Sequence, residues 1–329
     1  MRKAMAEAEL GDDVFHEDPT VNRLEALAAD MTGKAASVFV PSGTMGNLAS
    51  LLAHAGRGSE VIVGDEAHIY HYEAGGASAL GGLVYHAVPT RPDGTLPLEA
   101  LQAAIRPSSR DYHAARAGVI CLENTHNRCS GAVLRPEYMA QVAAFAAEHE
   151  IPVHLDGARL FNAAVALGRP VTDFTRHVSS VQICLSKGLG APVGSLIIGD
   201  ADFVDRARRL RKMLGGGMRQ VGVIAAAGIV ALTEMVDRLA EDHVNARILA
   251  DGLAGLPGVL LDPGSVETNI VIFRMPDVAR AAALVEAAKR EGVLLWPFGA
   301  NRIRAVTHEG ITSEDCRRAI DALRRALAA

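Results

Sequence analysis

The chain has 329 residues, 49% of them hydrophobic, and a formal net charge of −5, enough for one large domain or two unequal ones with a substantial core and without the basic footprint of a nucleic-acid binder. No apolar run reaches bilayer-spanning length, and the opening MRKAMAEAELGDD lacks the apolar core and cleavage site of a signal peptide, so a cytoplasmic location with no membrane or nucleic-acid partner is expected. Cys121, Cys129, Cys184 and Cys316 form no C-x-x-C pair, which argues against a disulfide framework or a zinc site.

From about residue 40 to 200, helix-like and strand-like segments alternate. The first informative stretch, VFVPSGTMGNLASLLAHAG, sets Ser42, Gly43 and Thr44 just before a helix whose apolar positions include Met45, Leu48, Leu51 and Leu52. Free N–H groups and the dipole at such a helix start favour an anion, although an ordinary Ser/Thr cap has the same pattern. A buried strand over residues 61–63 leads into VGDEAHIYHYEAGG, with His68, His71 and Glu73. The spacing H-x-x-H completes no metal ligand set on an assigned helix, and a hydrogen-bonded loop histidine is the plain alternative for His71. Residues 119–122 form the next strand, followed by LENTHN and His126, a residue able to exchange protons near neutral pH. Pro136 starts a helix with Met139, Val142, Ala143 and Ala146 on one face.

The strand at 153–155 ends in Asp156, with Gly157 and Arg159 beyond it. Strands at 181–185 and 195–198 enclose the turn S-K-G-L-G-A-P-V-G, in which Lys187 stands among Gly188, Gly190, Pro192 and Gly194. Continuous apolar runs of this kind belong to strands covered on both faces, so a mostly parallel sheet in an α/β domain is expected. Cys121 and Cys184 lie inside such runs and read as small buried hydrophobes. Beyond Gly215–Gly217 the chain reads helical to about residue 255, then strand (269–273), helix (278–290), strands (293–296 and 303–306) and a last helix capped by Thr312 or Ser313. The expected division is a large domain over 1–235 and a smaller α+β carboxy-terminal domain over 236–329.

In an open α/β sheet, ligands sit at the carboxyl ends of strands. Asp156 and Lys187, 31 residues apart, both fall at such ends. Pyridoxal phosphate needs that pair: an amine to hold its aldehyde as a Schiff base, and a carboxylate to keep its ring nitrogen protonated. The Ser42–Thr44 helix start then supplies a phosphate seat, and His68 or His71 a flat partner for the ring. The glycines around Lys187 make no dinucleotide fingerprint, because G-L-G-A-P-V-G is one residue too long and leads into a strand.

Taken together, HLDGARLFNA, ICLSKGLGAPVGSL, RKMLGGGMRQ, SGTMGN, EAGG and LENTHN strongly resemble the threonine aldolases, fold-type I pyridoxal-phosphate enzymes that cleave L-threonine or L-allo-threonine to glycine and acetaldehyde. The resemblance covers the chain from about Gly11 to its end. It implies that Lys187 is the Schiff-base lysine, Asp156 the partner of the ring nitrogen, His68 the stacking residue, and Gly43 and Thr44 the phosphate ligands. It further implies that Arg159 and Arg304 bind the substrate carboxylate, for which a guanidinium is well shaped, and that His126 takes the β-hydroxyl proton directly or through a water. Lys212 and Arg219 resemble cofactor-site residues that reach into a neighbouring subunit, implying a homodimer or homotetramer with shared sites. No metal is implied. Two departures stand out. The family's usual opening, R-S-D-T-x-T-x-P, is missing, so Met1 is expected to be an internal methionine, through a misplaced start or a real truncation, and substrate binding is expected to be weaker if the chain is that short. Phe15 stands where many relatives have tyrosine. Rival expectations are another fold-type I enzyme, such as a β-eliminating lyase or an aminotransferase, and a cofactor-binding protein without catalysis.

Overall fold

The computed structural model describes residues 1–106 and 112–328. A seven-stranded sheet is built from β1 (Ala36–Val40), β2 (Glu60–Gly64), β3 (Val84–Val88), β4 (Ala117–Glu123), β5 (Val153–Asp156), β6 (Ser180–Cys184) and β7 (Ser195–Gly199), in the order β1-β7-β6-β5-β4-β2-β3. Every pairing is parallel except the two made by β7, and β2, β6 and β7 are buried along their whole length. That is the covered, mostly parallel sheet expected from the continuous apolar runs. A three-stranded antiparallel sheet follows, β8 (Ile270–Arg274), β9 (Trp296–Pro297) and β10 (Arg302–Val306), in the order β8-β10-β9.

Local chemistry sets the helix ends. Asp18 caps the helix Pro19–Thr32, accepting from the Thr20 and Val21 N–H groups at 3.1 Å, and Gly33 closes it at φ 64°. Thr312 caps the last helix, Ser313–Ala328, accepting from the Asp315 N–H. One apolar core joins the large sheet to the helices on its flank, through Leu24, Phe39, Ile120, Met139, Leu155, Phe174 and others. A second gathers Leu249, Leu253, Phe273, Leu284, Ile303 and Leu323 around the small sheet. Each fully buried side chain of this kind contributes about 1.5–3 kcal/mol.

Four details differ from the sequence reading. Strands β1 and β3 had no counterpart in it; β3 is an edge strand with exposed and half-buried positions, so its apolar signal is weak. The helical tract after the triple glycine is two helices, Gly222–Glu234 and Leu239–Ala254, the first packed on Pro19–Thr32 and the second on the last helix. The strand expected over 293–296 shrinks to β9, because Leu294 is 80% exposed and finds no surface to cover it. Cys184 is buried as expected, yet it faces the cavity described next rather than the core.

Candidate active site

At the carboxyl ends of the central strands three polar residues stand side by side, since the register pairs Glu123 with Asp156 and Asp156 with Gln182 across β4, β5 and β6. In front of them lies a cavity of about 280 Å³, lined among others by Ser42, Gly43, Thr44, His68, Asp156 and Lys187. Five of the residues singled out from the sequence therefore meet at one place: Gly43, Thr44, His68, Asp156 and Lys187.

The helix start expected to seat an anion is that of Gly43–His54. Its cap, Ser42, accepts from the Met45 N–H at 3.2 Å, which leaves the N–H groups of Gly43 and Thr44 without helical partners. A side chain at Gly43 would bring its Cβ to 2.7 Å from Cys184 Sγ; only a glycine lets the helix start approach the sheet so closely. The serine caps, and the next two residues face the cavity.

Asp156 is 2% exposed. It accepts from the Ala158 N–H at 3.1 Å and from Asn47 Nδ2 at 3.0 Å. Burial alone would raise its pKa, but the Lys187 ammonium, then the His68 ring and these N–H donors, outweigh it and hold the carboxyl below the usual value. On the other side, His68 Nδ1 is 3.0 Å from Glu73 Oε1. Burial disfavours the imidazolium; the hydrogen bond to Glu73 and the charges of Asp156 and Glu73 overcome it and raise the pKa of His68. Glu73 is raised, by burial first and by the Asp156 charge as well. The donor atoms of His68, Glu73 and Asp156 lie within 4.8 Å of one another, but Asn47 Nδ2 donates to both carboxylates, to Glu73 Oε1 at 2.7 Å. An N–H donor thus holds the place between the carboxylates that a cation would take. His71 is hydrogen-bonded, but on the one-turn helix His68–His71 rather than on a loop, donating from Nε2 to the Asp65 carbonyl at 2.6 Å.

Neither Arg159 nor Arg304 lines the cavity. Arg159 lies where β5 passes into the helix Leu160–Leu167. Its pKa is lowered, by burial and then by the charge of Arg304, while Cys184, Glu123 and Asp156 act the other way. Arg304, on β10, donates to Asn127 Oδ1 at 2.7 Å and lies over the Phe298 ring, 4.9 Å from its centroid; its Nε is buried without a partner. Arg304 therefore comes from the three-stranded sheet and acts on Arg159 by charge, without lining the cavity itself.

His126, expected to act on the substrate directly or through a water, does not line the cavity; its ring is buried, with Nε2 3.9 Å from Glu123 Oε2 and Nδ1 without a hydrogen-bond partner among the described residues. Lys212 and Arg219 do not reach the cavity of their own chain either. Lys212 packs beside Gly217, and Arg219, 60% exposed, pairs with Asp12 at 2.7 Å and lies over Phe15. Phe15 is likewise surface-exposed and away from the cavity.

Sequence reasoning passed over Asn47, Glu123 and Gln182. Glu123 accepts from the N–H groups of His68 at 2.7 Å and Asn127 at 2.8 Å, so it ties the short helix His68–His71 to the segment that carries Arg304's partner. A usable signal existed: Gly43, Asn47, Ser50 and His54 recur at spacings of four, three and four, a polar stripe in a helix otherwise buried on several sides.

A family model for β-eliminating lyases matches residues 1–276. The chain is 47% identical to low-specificity L-threonine aldolase 1 of Arabidopsis thaliana, over 99% of this chain and 92% of that protein. It is 46% identical to the low specificity L-threonine aldolase of Escherichia coli (strain K12), over 95% and 91%. Among solved structures, the threonine aldolase of Leishmania major superposes with a TM-score of 0.80 at 21% identity, covering 94% of this chain and 90% of that one, which concerns the fold.

Proposed function

The chain belongs to the β-eliminating lyase family and, within it, to the low-specificity L-threonine aldolases, and from that premise we propose how its own residues act. The reaction is retro-aldol cleavage of L-threonine and related β-hydroxy-α-amino acids to glycine and an aldehyde, with pyridoxal 5′-phosphate as cofactor. The observation that carries the cofactor is the cavity itself, where a buried carboxylate held ionised, a lysine and an open helix start converge. The residues fit the group. Lys187 would hold it through the side-chain amine, Asp156 would face the ring nitrogen, His68 the ring, and Gly43 and Thr44 the phosphate. Bound there, the cofactor supplies an electron-withdrawing ring that accepts the electron pair left on Cα when the Cα–Cβ bond breaks.

Each further role falls to a side chain. Arg159 and Arg304 bind the substrate carboxylate and so fix which bond at Cα can break. Their partial burial and mutual repulsion favour an anion between them. Asp156, kept ionised by its N–H donors and the charges around it, favours the protonated ring nitrogen. His126 is assigned the β-hydroxyl proton, supported by its unpartnered Nδ1, since a buried imidazole nitrogen without a partner is uncommon; a water would bridge it to the cavity.

The same proposal extends to L-allo-threonine as a substrate, supported by the low-specificity names of the relatives. It extends also to a homodimer or homotetramer in which Lys212 and Arg219 complete a neighbour's cofactor site, in keeping with neither residue lining the cavity of its own chain. Incubating the pure protein with L-threonine and L-allo-threonine tests the reaction. Acetaldehyde and glycine in equal amounts are expected; ammonia with a keto acid would assign a β-eliminating activity instead.

A further inference from the structure

Beneath the cavity, between the Gly43–His54 helix and the sheet, runs a buried row of polar side chains that the proposed chemistry does not use directly. His154 and Asp156 point to the same face of β5, and the register sets Ser180 beside His154. His154 Nε2 is 3.1 Å from Asn47 Oδ1 and its Nδ1 is 2.8 Å from Ser180 Oγ; His54 Nε2 is 2.7 Å from the same Oγ. His154 and Ser180 are fully buried and Asn47 nearly so, while His54 is half-buried, its ring stacked on Phe203 at 4.4 Å.

Donor and acceptor roles along this row follow from one constraint. An ionised Asp156 only accepts, so the Asn47 amide must turn its NH₂ toward Asp156 and Glu73, and its carbonyl toward His154. His154 Nε2 therefore carries the proton. Burial, then the neighbouring His54, pushes the pKa of His154 down to about 3, so the ring is neutral and its Nδ1 accepts from the Ser180 hydroxyl. The Ser180 oxygen in turn accepts from His54 Nε2–H; burial, then Arg206, brings His54 down to about 4. Every bond points the same way, from His54 through Ser180 and His154 to Asn47, and aligned hydrogen bonds polarise one another. Asn47 then divides its two N–H bonds between Asp156 and Glu73, and Glu73 holds His68.

We infer that Asn47 and His154 are positioning residues: the directed row His54–Ser180–His154–Asn47 fixes the Asp156 carboxylate and, through Glu73, the His68 ring in one movement. The inference rests on the cofactor reading above, because it assigns the row the task of holding both protein groups that would flank the ring. The charged and titratable groups around Asp156 are Lys187, His68, Glu73, Arg159, Cys121 and His154. Of these, Glu73 and His154 both meet Asp156 through the amide of Asn47, Glu73 at its NH₂ and His154 at its carbonyl.

The test uses the holoenzyme and its variants His154→Leu and His154→Gln, since the glutamine amide offers an N–H where Nε2–H stood. Two quantities are read: the dissociation constant of pyridoxal 5′-phosphate, from its visible absorption on return to the resolved enzyme, and the pH titration of that absorption. His154→Leu is expected to weaken cofactor binding about tenfold, or about 1.4 kcal/mol, and to displace the titration by about one pH unit; His154→Gln should recover most of both. A His154→Leu protein that melts like wild type, binds the cofactor as tightly and titrates unchanged would overturn the inference. If that variant does not fold, Ser180→Ala gives the decision, with about threefold weaker binding expected and an unchanged constant and titration overturning the inference. A wild-type protein that develops no visible absorption would defeat the cofactor reading itself, a different result from unchanged variants of a coloured enzyme.

Discussion

Replacing Asp156 by asparagine changes one oxygen to NH₂ and hardly alters volume, so its effect isolates charge and hydrogen-bond direction. The new carbonyl can still accept from the Ala158 N–H at 3.1 Å, but the new NH₂ faces the NH₂ of Asn47 at 3.0 Å. Turning the Asn47 amide only moves the conflict, since its carbonyl would then meet Glu73 Oε1 at 2.7 Å and its NH₂ would meet the Nε2–H of His154. One buried donor or acceptor is left opposed wherever the row is cut, costing about 1–3 kcal/mol. Loss of the charge removes a charged hydrogen bond worth about 1.5–3 kcal/mol and the anion that favours a protonated ring nitrogen. If about 3–6 kcal/mol falls on the transition state, kcat/KM drops about 10²- to 10⁴-fold. The assay is acetaldehyde release from L-threonine at saturating cofactor, read by coupled alcohol dehydrogenase, beside a thermal melt. A variant that keeps more than about a tenth of wild-type kcat/KM, with a normal melt, would refute the electrostatic role given to Asp156.

Lys187→Ala is expected to abolish the visible absorption of the loaded protein while leaving the fold, as read by circular dichroism, intact. Arg304→Ala should raise KM for threonine about 10- to 100-fold with a smaller effect on cofactor binding, because Arg304 stands on β10, outside the cavity proposed for the cofactor. Arg211 and Asp13 form a buried pair at 2.8 Å, with side chains 5% and 1% exposed, so Arg211→Met strands the carboxylate and should cost about 3–5 kcal/mol in a denaturant melt. The His68–Glu73 pair gives a pH signature. The folded pKa of His68 lies above its ordinary value of 6.5, so the stabilisation is complete below that value and fades as pH rises through the folded pKa. The melting temperatures of wild type and Glu73→Gln should therefore differ more in mildly acidic than in alkaline buffer; an equal gap throughout would contradict the pairing.

Much of the site was legible in the chain because strand ends and helix starts are local events. Asp156 and Lys187 follow apolar strands, Gly43 and Thr44 follow a capping serine, and in each case the neighbouring residues alone decide where the backbone turns. What local pattern could not contain is which strands lie side by side. The register that aligns Glu123, Asp156 and Gln182, and that brings Ser180 against His154, arises only when β4, β5 and β6 associate. Asn47 reads as an unremarkable polar residue in a helix until that sheet is beneath it. The same holds for His126, whose proton-exchanging chemistry is visible in LENTHN but whose burial behind Glu123 is not. Residue types and their order determined the chemistry available to this protein; the pairing of distant strands decided the direction of the buried hydrogen bonds behind Asp156, because a donor acquires an orientation only when its acceptor, more than a hundred residues away in the case of Asn47 and Asp156, is held in place.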